Sequence, residues 1–140
     1  MLVVLFAPRK NKRRAGPRRG GDGPYLKAPR VGEYWMADVP FRDGTGSKDR
    51  PCLVVGTDGE MYTVLYVTSR DRSDNSAFIA INSSSWRGSV ASKQSWMQVG
   101  WFGREDPRIT VHFAYFRRRL GAWSAAEQRS VRAALRELES

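Results

Sequence analysis

Two apolar, β-branched runs, Pro51–Thr57 (PCLVVGT) and Met61–Thr68 (MYTVLYVT), flank an Asp58-Gly59 pair. Asp-Gly between such runs is a strong signal for a two-residue hairpin loop, and side chains of this kind fit a pleated surface. The first run is apolar at successive positions, which suits a strand covered on both faces. Its Pro51 stands at the first position, where a missing N–H is tolerated. A chain built around this hairpin is a mainly β domain.

The flanking sequence extends that pattern. Glu33–Val39 alternates, with Tyr34 and Met36 on one face and Trp35, Ala37 and Val39 on the other. Pro40–Asp49 has two Gly, four charges and no apolar periodicity, and reads as a mobile loop. Ser69–Ser76 is a polar loop and Ala77–Ile81 a short strand. Weaker strands follow near Ser95–Trp101 and Ile109–Tyr115, with a turn at Asp106-Pro107 between them. Ser124 with Glu127 three residues later is a capping box, and Val131, Leu135 and Leu138 recur at helical spacing, so a helix is expected over about 125–138. Residues 31–140 are expected to form a small, mostly antiparallel β-barrel closed by one C-terminal helix.

Charge is unevenly distributed. Of the net +10, +8 lies between Arg9 and Arg30, where nine basic residues accompany the single acid Asp22. That stretch is rich in Gly and Pro and too poor in apolar side chains to offset its ordering entropy, so residues 1–30 read as a flexible basic arm. Such an arm attracts polyanions by phosphate contacts and counterion release, without sequence choice; a solubilising tail is the plainer alternative. Residues 31–140 hold 15 basic and 13 acidic residues. One cysteine, Cys52, and one histidine, His112, exclude a disulfide framework within the chain and a Cys/His zinc site of familiar spacing. The Met1–Ala7 apolar run is far short of a membrane span, and its charges follow it, the wrong order for a secretory signal. A soluble cytoplasmic protein with no membrane partner is expected.

The hairpin also brings chemistry together. With Asp58-Gly59 as the loop, cross-strand partners have numbers summing to 117, so Arg50 faces Val67 and Thr68 faces Asp49. Arg50 and Thr68 are then diagonal neighbours within about 8 Å at the open end, joined by Lys48, Ser69, Arg70 and Arg72. Cations and hydroxyls in one concavity suit a phosphodiester, because Arg offers a planar fork to two phosphate oxygens. Equally, Arg50 could pair with Asp49 or Asp71 and Thr68 be an ordinary β-branched strand residue.

The run Val31-Gly32-Glu33-Tyr34-Trp35 to Asp38-Val39-Pro40, the loop ending Lys48-Asp49-Arg50-Pro51 and the strand Cys52-Leu53-Val54-Val55 resemble the PemK/MazF-type toxins. Val67-Thr68-Ser69 matches that family's "V/I-T-S/T" segment, and Phe116-Arg117-Arg118-Arg119-Leu120-Gly121 its C-terminal "R-x-x-G". The resemblance covers about residues 31–138. It implies an SH3-like barrel with a C-terminal helix, commonly a homodimer, acting as an endoribonuclease on single-stranded RNA without metal or cofactor and inhibited by a cognate antitoxin. It puts the family's catalytic Arg at Arg50 and its catalytic Thr at Thr68. Arg50 would then stabilise charge that builds on phosphoryl oxygens as a 2′-hydroxyl attacks, and Thr68 or Ser69 would orient the phosphate.

The chain also departs from that pattern. Where many members carry a Glu five residues before the motif's Arg, this chain has Thr45. Asp43 or Asp49 could substitute as base. His112, between Val111 and Phe113, reads as a packed core or edge residue, and Asp38 as the residue that fixes the start of the following loop. Trp35, Trp96, Trp101 and Phe102 suit stacking on unpaired bases or, more simply, a core or dimer interface. Arg117–Arg119 suits an RNA groove or the protection of a strand edge, and Cys52 a small buried hydrophobe. Two rival functions follow: a non-catalytic nucleic-acid-binding module on the same barrel, or a ribosome-associated protein whose arm threads RNA.

Overall fold

The computed structural model describes residues 27–84, 86 and 94–140. Apart from residues 27–30, the expected basic arm lies outside the described residues. The elements run β1 (Glu33–Pro40), β2 (Ser47–Asp58), β3 (Met61–Thr68), β4 (Phe78–Ile81), β5 (Ser95–Gln98), β6 (Ile109–His112), a 3₁₀ turn (Phe113–Tyr115), β7 (Phe116–Ala122) and α1 (Ala125–Glu139). The ladders are antiparallel. They give the strand order β4-β5-β3-β2-β1-β7, with β6 also pairing β3.

Strand alternation produces two cores, one on each side of the central strands. Tyr34, Leu53, Leu65 and Val67 pack with Ile81, Met97, Leu120 and, from α1, Val131. Trp35, Ala37, Val39, Cys52, Val54, Tyr62 and Val64 pack with Ile109, Val111 and Phe116 on the other face. Each large apolar side chain so enclosed contributes roughly 1.5–3 kcal/mol of transfer free energy. The facing expected for β1, and the double enclosure expected for β2, are both found. Burial pushes the Cys52 thiol well above its usual range, so it is an inert hydrophobe here.

Several expectations are corrected. The hairpin loop is Gly59-Glu60, since Asp58 pairs with Met61. Gly59 has φ +64°, and Gly at the first loop position with positive φ is the requirement of a II′ turn. A register shift between Val54 and Gly56 follows, so that Cys52 faces Tyr66. The supposed mobile loop is shorter than expected, because the β1–β2 ladder runs on to Pro40 opposite Ser47. Phe41 N–H donates to the Gly46 carbonyl at 2.7 Å and closes it. Pro51 is inside β2, opposite Met36. That part of β2 has a ladder to β1 alone, and the unladdered side is where a Pro breaks no bond. Phe116–Ala122 is a strand, not only a charged segment before the helix.

No ladder among the described residues joins β7 to β4 or β6. The architecture is therefore an antiparallel sheet with one C-terminal helix, and the expected closure into a barrel is not seen in the ladders. The capping box forms as expected: Glu127 N–H donates to Ser124 Oγ, and Ser124 N–H to Glu127 Oε1, both at 3.0 Å. Glu127 also accepts from Tyr34 Oη at 3.1 Å and Asn82 N at 3.2 Å, tying α1 to the sheet. Gly32, at φ +93°, cannot be replaced cheaply, because a Cβ there would lie 2.6 Å from Trp123 Nε1.

Candidate nucleic-acid interface

β3 changes partners along its length. Its first half pairs with β2 and β6, and its end, Val67 and Thr68, with Met97 and Trp96 of β5. At this fork β2 continues alone with β1, and Arg50 stands on it. Cys52 opposes Tyr66, so alternation puts Arg50, Cys52, Tyr66 and Thr68 on one face. The Arg50 guanidinium lies 4.9 Å from the Tyr66 ring centroid, a cation–π distance. Tyr66 meets Phe78 edge-on at 6.4 Å, and Phe78 meets Phe102 at 5.2 Å. Arg72 lies over both of these, at 5.2 and 5.0 Å. Arg42, beyond the end of β1, is 5.9 Å from Tyr66.

Three arginines thus share one row of aromatic rings. Among the described residues none of them is within ion-pairing distance of a carboxylate. Burial lowers Arg42 and Arg50 from the ordinary guanidinium value; at Arg42 the charges of Glu105 and Asp106 oppose that shift, and the charge of Arg50 adds a smaller push in its direction. The Nε atoms of Arg50 and Arg72 are buried without a hydrogen-bond partner among the described residues.

The alternative pairings for Arg50 are not found. Asp49 Oδ1 is 3.5 Å from Arg117 Nε, and Asp71 Oδ1 accepts from the Ser73 N–H at 2.8 Å. Thr68 Oγ1 accepts from the Arg70 N–H at 3.1 Å, a local turn that leaves the hydroxyl hydrogen to donate. Lys48, Ser69 and Arg70 are exposed at the same end of the hairpin. Of the six residues expected there, Arg50 and Arg72 are joined through Tyr66 and Phe78. Thr68 shares the face, and the other three border it.

The expected substitutes for a general base are committed elsewhere. Asp43 accepts from Thr45 Oγ1 at 2.7 Å and from Thr45 N at 3.0 Å, and these bonds hold its carboxyl below the usual range. Asp38 faces Asp49 across β1 and β2, and Arg117 lies 3.5 Å from both carboxylates. His112 opposes Met61, at the turn end of β3, roughly 24 Å along the strand from Thr68. There it accepts from Ala114 N at 2.9 Å and meets Glu60 Oε1 at 3.2 Å. Of the proposed stacking residues, Trp35 is core, Trp96 is half-buried, and Phe102 lies beneath Arg72. Trp101, 54% exposed, is free to stack.

Sequence reasoning missed Arg42, Tyr66, Phe78 and Gln98. Tyr66 had a signal, being two residues before Thr68 and so on its face. Phe78 and Gln98 come from β4 and β5, and no local pattern announces that β5 pairs with the end of β3 and β4 with β5.

Among the described residues no cluster of three or more His, Cys, Asp or Glu could hold a metal ion, and no helix is long and apolar enough to cross a membrane. Searches against protein-family models and against curated proteins match nothing to this chain.

Proposed function

We propose that the chain is a toxin-type endoribonuclease of the PemK/MazF kind on an SH3-like barrel, cytoplasmic and dimeric, held in check by a cognate antitoxin. It cleaves single-stranded RNA by attack of the 2′-hydroxyl on the adjacent phosphate. Arg50 stabilises the charge gathering on the phosphoryl oxygens, and the Thr68 hydroxyl donates to one of them. Lys48, Ser69, Arg70 and Arg72 bind the flanking chain. The observation that supports this reading is the state of Arg50: half-buried on Tyr66, beside a second arginine, and without a carboxylate to neutralise it. An unneutralised cation held in place is suited to an anion that arrives.

The experiment is cleavage of a long, mostly unpaired RNA in EDTA by the full chain, by a form lacking residues 1–30, and by Arg50→Ala. Discrete cuts by the first two and none by the third are expected. Uncut RNA with all three proteins sinks the nuclease reading.

One observation favours the second reading, a non-catalytic nucleic-acid-binding module. Thr45 replaces the family Glu, Asp43 and Asp49 are engaged elsewhere, and His112 is at the far end of β3. That reading expects retention of intact RNA, weakened by Arg50→Ala.

A further inference from the structure

Gln98 is fully buried, 0% exposed, in a place where an amide must use its groups or be costly. Its Nε2 donates to the Gly100 carbonyl at 2.9 Å and the Glu105 carbonyl at 3.1 Å. Two carbonyl acceptors on that side fix which way the amide points, because the reverse orientation would set oxygen against oxygen. Oε1 is thereby aimed at Arg42, whose Nη2 donates to it at 3.1 Å. Arg42 Nη1 donates to the Asp106 carbonyl. The Asp106 carboxylate is bonded by Arg108 through both of its oxygens, Nε to Oδ1 at 2.9 Å and Nη2 to Oδ2 at 2.7 Å, so that it and Glu105 act on Arg42 through charge alone and not through an ion pair.

Arg42 is therefore clamped by two neutral oxygens, with no carboxylate hydrogen-bonded to it, and is held over the same ring as Arg50. Two like charges that share one ring repel each other, and an anion bound by both relieves that repulsion. We infer that Arg42 and Arg50 are a paired cationic grip on one phosphate, and that Gln98 is the positioning residue that aims Arg42 into it. This rests on the reading of the Arg50 face as a nucleic-acid site.

The test is equilibrium binding of a 2′-O-methyl RNA oligonucleotide, which 2′-hydroxyl attack cannot cut, over a salt series. The proteins are the full chain, Arg42→Ala, Arg50→Ala and the double variant. If one phosphate is shared, each single variant loses about tenfold, the double loses little more, and its salt slope falls by about 0.7, one single-strand phosphate. Losses that multiply to about a hundredfold, with a slope lower by about 1.4, mean two separate phosphates and overturn the pairing. Wild-type affinity in Arg42→Ala, or no binding by the unmodified chain, overturns it too. Gln98→Met is expected to cost as much as Arg42→Ala and to cost nothing further in the Arg42→Ala background. A further loss there shows Gln98 acting through the fold and overturns its positioning role. Cleavage of unmodified RNA separates the two proposals. A shared-phosphate result without cleavage sinks the nuclease and leaves the grip. Cleavage by a protein whose binding ignores Arg42 sinks the grip and leaves the nuclease.

Discussion

The arginines of β7 and those at the open end of the β2–β3 hairpin have opposite kinds of neighbour. Arg117 lies between Asp38 and Asp49, and Arg119 Nε donates to Glu33 Oε2 at 2.9 Å. Arg42, Arg50 and Arg72 lie over aromatic rings, and among the described residues none of them is within ion-pairing distance of a carboxylate. Sequence proximity does not decide which is which. Asp49 is the immediate neighbour of Arg50, yet alternation along β2 sends the two side chains to opposite faces. Asp49 thus serves an arginine 68 positions away. Its departure keeps the Arg50 charge unneutralised. The β7 set is paired to carboxylates of β1 and β2, and the hairpin set is left without an ion pair among the described residues.

The largest effect expected from this contrast is on stability. Arg117→Ala would leave Asp38, nearly inaccessible, facing Asp49 across a ladder rung with no cation between them. Removing one partner of a buried ion pair costs about 3 kcal/mol or more, so the thermal midpoint should fall by on the order of 10 °C. Arg50→Ala removes a cation that no carboxylate needs, and should change stability by no more than about 1 kcal/mol. Thermal unfolding of the two variants side by side decides it. Equal destabilisation would mean that Arg50 is as structural as Arg117.

A smaller effect is expected at the ring. Tyr66→Leu keeps the apolar bulk between Cys52 and Phe78 but removes the π-face beneath two guanidiniums. A partly desolvated cation–π contact contributes about 1 kcal/mol. Retention of an oligonucleotide should weaken severalfold as Arg50 and Arg42 lose their seat, while the midpoint falls by only a few degrees. Retention unchanged in Tyr66→Leu would show that the ring is packing alone.

Much of this contrast could be read before the structure, and the rest for definite reasons could not. The facing of β1, the ends of β3 and the Ser124–Glu127 cap follow from alternation and capping, which are local. The hairpin register was misread by one residue. Asp58-Gly59 attracted the loop assignment, whereas Gly59 takes the positive φ as first loop residue and a bulge then absorbs part of the offset. That shift matters, because it sets Arg50 diagonal to Tyr66. Strand β7 has no periodic signal, because three consecutive arginines fill its middle and register shifts against β1 send Phe116 and Leu120, four residues apart, into different cores. The aromatic row is assembled from β3, β4 and the loop after β5, and Arg42 is aimed by Gln98. Such tertiary placements leave no periodic trace.

The finest division between the two sets of arginines is by acid. Burial pushes the Glu33 carboxyl up, but hydrogen bonds from Trp35 Nε1, Arg30 N and Arg119 outweigh it and hold it below its ordinary value of 4.5. A carboxylate whose folded pKa is depressed stabilises the protein above its unfolded pKa, and that contribution is lost as pH falls through the folded value. Arg119 is about half exposed, which discounts its share to a few tenths of a kcal/mol. Glu33→Gln should therefore unfold at a midpoint 1–3 °C below the unmodified chain at about pH 6, with the gap closing below about pH 4.5. Arg50→Ala should follow the unmodified chain in its acid dependence, since no carboxylate relies on it. A Glu33→Gln gap that persists undiminished to about pH 3 would mean that packing, and not the charge paired with Arg119, accounts for the loss.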